Sequence, residues 1–171
     1  MKSKKVIVLP YDNQWKAEFE KIKDYLGKAL GNRIIGIEHV GSTSVEGLAA
    51  KPIIDLDVII EDETHFDNVK RRLEDLGYSH EGNLGIKGRD AFRYREIQDL
   101  MGHHLYVCTK NSEELKRHLA FRDYLRAHKE EMERYGAVKM DAANKFPKDI
   151  DGYIAYKSAC IEEIYKKCGL K

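Results

Sequence analysis

Two rhythms of apolar and polar residues run along the chain. Trp15, Phe19, Ile22, Leu26 and Ala29 recur at spacings of 4, 3, 4 and 3, one stripe of an amphipathic helix. Asp12 is its candidate N-cap and Gly31 its stop. Residues 6–9 read as a short strand before it and 33–40 as a strand after it. The run at 53–60 is almost entirely apolar or β-branched and reads as a central strand. A helix follows at 62–76, with Phe66, Val69, Leu73 and Leu76 on one side and Gly77 as its end. Two further strands are expected at 91–97 and 103–108, with a turn at 99–102 between them. The remainder predicts three helices, at 112–128, 130–145 and 149–168. This order gives an α+β core over residues 1–110 and a helical C-terminal extension over 111–171 packed on the same domain.

Composition narrows the classes of function. Lys+Arg is 30 and Asp+Glu is 29, a net charge of +1, which argues against a general nucleic-acid or membrane binder. Cys108, Cys160 and Cys168 are an odd number with no paired spacing, so neither a disulfide framework nor a structural zinc site is expected, and a reducing cytoplasm is the expected compartment. No apolar run approaches the ~18 residues of a membrane span.

The chemical signal is concentrated in the central strand. Asp55 and Asp57 are two apart and project from one face, while Ile54, Leu56, Val58 and Ile60 fill the other. Two carboxylates this close repel each other unless something positive sits between them, most simply a divalent cation held by oxygen ligands. The plain alternative is an open sheet face with two solvated aspartates. The turn Gly41-Ser42-Thr43-Ser44 precedes the pair, with 12 residues between Ser42 and Asp55. Glycine admits close backbone approach, and free N–H groups at a helix start attract phosphate. A phosphate cradle beside a carboxylate pair is the arrangement that phosphoryl and nucleotidyl transfer require.

Basic residues stand where apolar ones are expected. Arg122 interrupts the stripe Leu115, Leu119, Leu125; Lys139 interrupts Met132, Tyr135, Ala142, Phe146; Lys157 interrupts Ile150, Ile154, Ile161, Ile164. Each could snorkel or pair with an acid such as Asp123 or Asp141; three in succession equally suit one shared anionic pocket. Arg93 and Arg95 alternate with Phe92 and Tyr94, so both guanidiniums fall on one strand face, suited to a phosphate chain or to protecting a sheet edge. Lys51 is a further phosphate contact or an ordinary solvated lysine. His39, two residues before Gly41, is expected to orient the turn through a structural hydrogen bond.

The Gly-Ser, spacer, Asp-x-Asp pattern resembles the nucleotidyltransferase superfamily of the DNA polymerase β type. The longer string His39-Val40-Gly41-Ser42-Thr43-Ser44-Val45-x-Gly47-Leu48-Ala49-x-Lys51-Pro52-Ile53-Ile54-Asp55 resembles the GrpB-like family, whose domain is also found fused to some dephospho-CoA kinases. Further matches are His103-His104-Leu105-Tyr106-Val107-Cys108, Leu119-x-Phe121-Arg122-Asp123-Tyr124-Leu125-Arg126 and Tyr135-x-x-x-Lys139. The resemblance implies a nucleotidyltransferase-like mixed sheet flanked by helices. It also implies a third carboxylate on a later strand, and here the sequence departs. If Leu105 and Val107 face the core with His103, then His104, Tyr106 and Cys108 share the other face, and His104 stands where the acid is expected. Glu96 is an alternative third acid.

Two functions follow. In the first, Mg2+ (or Mn2+) on Asp55 and Asp57 binds a nucleoside triphosphate. Its phosphates rest on Gly41, Ser42, Thr43 and Ser44, with Lys51, Arg93, Arg95, Arg122, Lys139 and Lys157 neutralising charge, and His104 joins the aspartates in transfer to an acceptor. In the second, the same site binds a nucleotide- or CoA-related phosphate ligand without reacting it. The missing third carboxylate favours the second, and the sequence leaves open whether the protein is an enzyme.

Overall fold

The structure, a computed structural model, describes residues 5–95 and 99–170. Its frame is a mixed five-stranded sheet in the order β1-β2-β5-β4-β3. The strands are β1 (Gly36–Val40), β2 (Ile54–Ile60), β3 (Ser79–Gly82), β4 (Asp90–Arg93) and β5 (His103–Thr109). Only the central pair β2 and β5 runs parallel; the other three pairings are antiparallel.

One sheet face is packed. Ile54, Leu56, Val58 and Ile60 alternate inward from β2 and are fully buried, as are Leu105 and Val107 from β5. Helices α1 (Gln14–Leu30) and α2 (Phe66–Asp75) cover them with Trp15, Phe19, Ile22, Leu26, Leu30, Val69 and Leu73. Burying each such side chain contributes about 1.5–3 kcal/mol, enough to fix the strand register. Asp12 holds the entry to α1 by accepting a hydrogen bond from the Gln14 N–H at 2.9 Å, and Gly31 at φ +55° ends the helix.

The helices α3 (Glu113–Ala127), α4 (Lys129–Lys145) and α5 (Ile150–Lys167) form the C-terminal part. Ser112 caps α3 through the Leu115 N–H and Asp149 caps α5 through the Gly152 N–H. Leu125, Met132, Tyr135, Cys160 and Ile164 build a second apolar cluster with Val45 and Leu48, which follow the turn at 41–44. Gly136 lets α4 approach that segment, because a Cβ there would lie 3.4 Å from Leu48 Cδ1.

Two expectations are corrected, and one strand was missed. Residues 6–9 form no sheet strand: a single bridge joins Leu9 to Ala50, and Val6 and Val8 bury themselves against Ala142 and Tyr153. The alternation is genuine, but the segment has no neighbouring strand to pair with. The strand expected at 91–97 stops at Arg93, and Ile97 lies outside the described residues. β3 went unrecognised because Ser-His-Glu-Gly carries no β-branched or large apolar side chain.

Candidate functional site

The second sheet face carries the chemistry. Register places Asp55 beside His104, and His104 beside Arg93, in one row. The next row is Glu38, Asp57, Tyr106 and Ala91. Two-residue alternation thus brings polar side chains from four strands onto the face opposite the core.

The turn at 41–44 abuts this face. Gly41 has φ +72°, and a Cβ built on it would stand 2.5 Å from Asp55 Oδ2, so only glycine lets the turn lie against the carboxylate. Ser42–Ser44 form one turn of 3-10 helix. His39 fastens it from the core side, with Nε2 2.9 Å from Thr43 Oγ1 and its ring stacked on Phe19. Burial pushes the His39 imidazole down to about 4, so it is a neutral structural partner. From above, Arg126 donates to the Ser44 carbonyl through Nε at 3.0 Å and Nη2 at 2.8 Å. Arg122 donates to the His39 carbonyl at 3.0 Å and to Glu38 at 2.7 Å. One helical turn of α3 therefore clamps both ends of the glycine turn.

Arg122, grouped by its stripe with Lys139 and Lys157, is not part of their cluster. Its guanidinium is taken by Glu38, Asp123 and the His39 carbonyl. Lys139 and Lys157 do converge, and Lys51 joins them. The three line a cavity of about 190 Å³ with Ser42, Asp55, His104 and Tyr153. No carboxylate lies within ion-pair distance of any of the three among the described residues. Lys51 and Lys157 place their ammonium groups 4.8 and 4.7 Å from the centre of the Tyr153 ring. Lys139 stands 4.7 Å from that of Tyr135 and is 2% exposed. Burial, with Lys157 and Lys51 nearby, pushes Lys139 down to about 7. Burial and Lys51 push Lys157 down to about 8. Lys51 is lowered as well, chiefly by burial. Among the described residues nothing fixed balances these charges, apart from Asp55 at longer range.

The two aspartates differ in setting. His104 Nδ1–H donates to Asp55 Oδ1 at 2.9 Å, which raises the imidazole pKa and leaves Nε2 on the open side. Asp57 is 0% exposed, and His118 of α3 meets its Oδ2 at 2.7 Å. The other ring nitrogen of His118 lies 3.2 Å from Glu114. Burial opposes the charge on His118, but the hydrogen bond to Asp57 and the two carboxylates outweigh it and raise its pKa. Asp57 Oδ1 is buried with no partner. Beside it, Arg89 stacks on the Tyr106 ring at 4.3 Å with a buried, unpartnered Nε. Burial pushes the Tyr106 hydroxyl up to about 12. Among the described residues no group of three or more His, Cys, Asp or Glu side chains is placed to hold a metal ion.

Other expected residues lie elsewhere. His103 faces the core, donating from Nδ1 to the Met101 carbonyl at 2.8 Å and meeting the Tyr78 hydroxyl at 2.7 Å. Arg93 is exposed at a neighbouring cavity of about 660 Å³ that shares Ile53 and His104 with the lysine pocket. Arg95 is exposed beyond the end of β4, so the two arginines do not share a strand face. Glu96, the alternative third acid, lies outside the described residues. His118, Arg89 and Tyr153 were not singled out by the sequence, and Arg126 entered only as the end of a matched string. A signal existed for two of them: Glu114, His118, Arg122 and Arg126 form a polar stripe at spacing 4 down one side of α3.

Comparison with known proteins adds to this geometry. A family model described as GrpB protein matches residues 5–167. UPF0157 protein BH1888 of Halalkalibacterium halodurans is 34% identical over 166 residues, 95% of this chain and 82% of that one. A dephospho-CoA kinase of Mycolicibacterium paratuberculosis is 27% identical over 187 residues; the match takes in 95% of this chain but 46% of the kinase. The crystal structure of the conserved protein GrpB from Enterococcus faecalis superposes with a TM-score of 0.84 at 38% identity, covering 95% of this chain and 96% of that one. The Cid1 poly(U) polymerase solved with MgGTP shares the fold at a TM-score of 0.55 and 15% identity, over 77% of this chain and 42% of the polymerase. No helix among the described residues is long and apolar enough to cross a membrane.

Proposed function

The chain belongs to the GrpB family, and from that premise we propose that it binds a nucleoside triphosphate over the turn at 41–44 and transfers the nucleotidyl group to a hydroxyl or phosphate acceptor. One observation carries this reading: three lysines with no carboxylate partner among the described residues face the glycine turn and Asp55 across one small cavity. Buried cations are costly unless paired, and the partner that suits three of them in one cavity is a polyphosphate. The nucleotide-bound polymerase of similar fold lends support at the level of fold alone.

The acids suit a divalent ion of the phosphate-bridging kind. Mg2+ commonly takes one or two carboxylates and completes its shell with phosphate oxygens and water, so no all-protein cage is needed. Asp55 and Asp57 supply hard oxygen donors, with Asp57 Oδ1 unpartnered and Asp55 Oδ2 against the glycine cradle. Such an ion (Mg2+ or Mn2+), when bound, polarises the phosphoryl group. Lys51, Lys139 and Lys157 neutralise the phosphates and the leaving pyrophosphate. His104, its Nδ1–H held by Asp55, keeps Nε2 to accept the proton of the attacking hydroxyl. The cytoplasm is the compartment we propose, where nucleotides are abundant and the three free thiols stay reduced.

A second reading, binding without reaction, is favoured by the His118 lock on Asp57 and by the absence of an acid on the outward positions of β5. A CoA-related ligand belongs to this reading through the dephospho-CoA kinase relative. Calorimetry with each nucleoside triphosphate in Mg2+, on wild type and Asp55→Asn, tests the shared part. Metal-dependent binding lost in the variant supports it, and equal binding by both proteins removes the metal from it. Pyrophosphate release then separates transfer from binding.

A further inference from the structure

The lysine pocket holds more positive charge than its own walls can balance, and the ordinary answer to that is the loss of a proton from one amine. Lys139 is almost wholly enclosed, whereas Lys157 is half-buried and borders the same cavity. The Tyr153 ring carries Lys157 and Lys51 at 4.7 and 4.8 Å, so the two repel each other across a shared wall. Asp55 and His104 complete that wall, and neither pairs with an amine. An uncharged lysine beside further cations is the setting in which an amine becomes a nucleophile. Here that amine lines the same cavity as Ser42 and Thr43 of the glycine turn.

We propose that Lys157 is an acylation site for acyl phosphates, which bind with their phosphate on the turn at 41–44 and pass their acyl group to the Lys157 amine. This rests on the phosphate-binding reading of the pocket. In the step, the Nζ lone pair attacks the acyl carbon and an N–C bond forms. The bond between the acyl carbon and the phosphate oxygen breaks, and inorganic phosphate departs with that electron pair. The proton shed by Nζ goes to the departing phosphate, and no electrons are exchanged with any other reagent. Lys51 holds the leaving phosphate, and seating the reagent raises its local concentration at one amine over all others. The resulting amide is uncharged, so acylation weakens the pocket for polyphosphate and acts as a brake on the same site.

The test uses the full chain and acetyl phosphate, with acetyl-lysines mapped by mass spectrometry in the presence and absence of inorganic pyrophosphate. Lys157 is expected to be acetylated about tenfold or more faster than exposed lysines such as Lys129, and pyrophosphate is expected to suppress it. N-acetoxysuccinimide, which has no phosphate, should label by exposure alone. Acetyl phosphate labelling that follows exposure, or that ignores pyrophosphate, overturns the proposal. Calorimetry of pyrophosphate binding on the same sample separates the failures. If pyrophosphate binds but Lys157 is not selected, only the acylation is lost. If pyrophosphate does not bind, the phosphate-binding reading falls with it.

Discussion

Replacing Lys139 with methionine should make the unliganded protein more stable while weakening the polyphosphate binding proposed above. Methionine fills much of the space of the lysine stem and carries no charge. Lys139 is 2% exposed, and its pKa falls from the ordinary 10.5 to about 7. Each pKa unit corresponds to 1.36 kcal/mol, so burying the charged form costs about 5 kcal/mol. The sign follows from which state holds the proton more tightly. Below pH 7 the lysine is charged in both folded and unfolded chains, and the full cost is present. Between 7 and 10.5 only the unfolded chain keeps the proton, and the cost falls as pH rises. Above 10.5 both are neutral and the cost is gone. Thermal melts of wild type and Lys139→Met from pH 6 to 10 should therefore show the variant ahead at pH 6–7, with the gap closing toward pH 10. At about 2–4 °C per kcal/mol for a chain of this size, even half the estimated cost moves the midpoint by ~5–10 °C. Pyrophosphate should reverse the order by stabilising the wild type more. A variant no more stable than wild type at pH 6, or a gap that does not change with pH, would refute the idea that Lys139 is an uncompensated buried charge.

Two other substitutions probe the neighbouring parts. His118→Ala leaves the fully enclosed Asp57 carboxylate without its partner, and a loss of about 3–5 kcal/mol in urea unfolding is expected; His118→Gln, which can still donate, should recover part of it. Gly41→Ala puts a methyl group 2.5 Å from Asp55 Oδ2 at a positive φ. It should cost at least ~1–3 kcal/mol and abolish pyrophosphate binding measured by calorimetry.

Much of the fold was legible because its signals are local. The α1 stripe, the apolar face of β2 and the three C-terminal helices each repeat with the period of one element. The pairing of Asp55 with Asp57 on one face follows from strand geometry alone. The lysines were visible as misfits, since a charge on an apolar stripe must be answered by something. What answers it was beyond the sequence. Arg122 sits on the same kind of stripe as Lys139, yet Glu38, 84 positions away, takes its charge. Nothing in the Asp-x-Asp pattern says that α3 crosses the sheet and seals Asp57 under His118. The glycine turn was readable from residue types, but its clamping by Arg122 and Arg126 depends on where α3 is docked.

The pairing of β2 with β5 bears on how the protein comes into being. Parallel neighbours cannot be joined by a hairpin, and here the detour between them holds a helix and two further strands. Asp55 and His104 meet only when that long loop has closed, and Lys157 arrives from the last helix of all. Such distant meetings are entropically slow, and they complete late. A half-made chain therefore has its hairpins and helices but not the row that joins Asp55 to His104, and the proposed ligand capture would read out finished assembly.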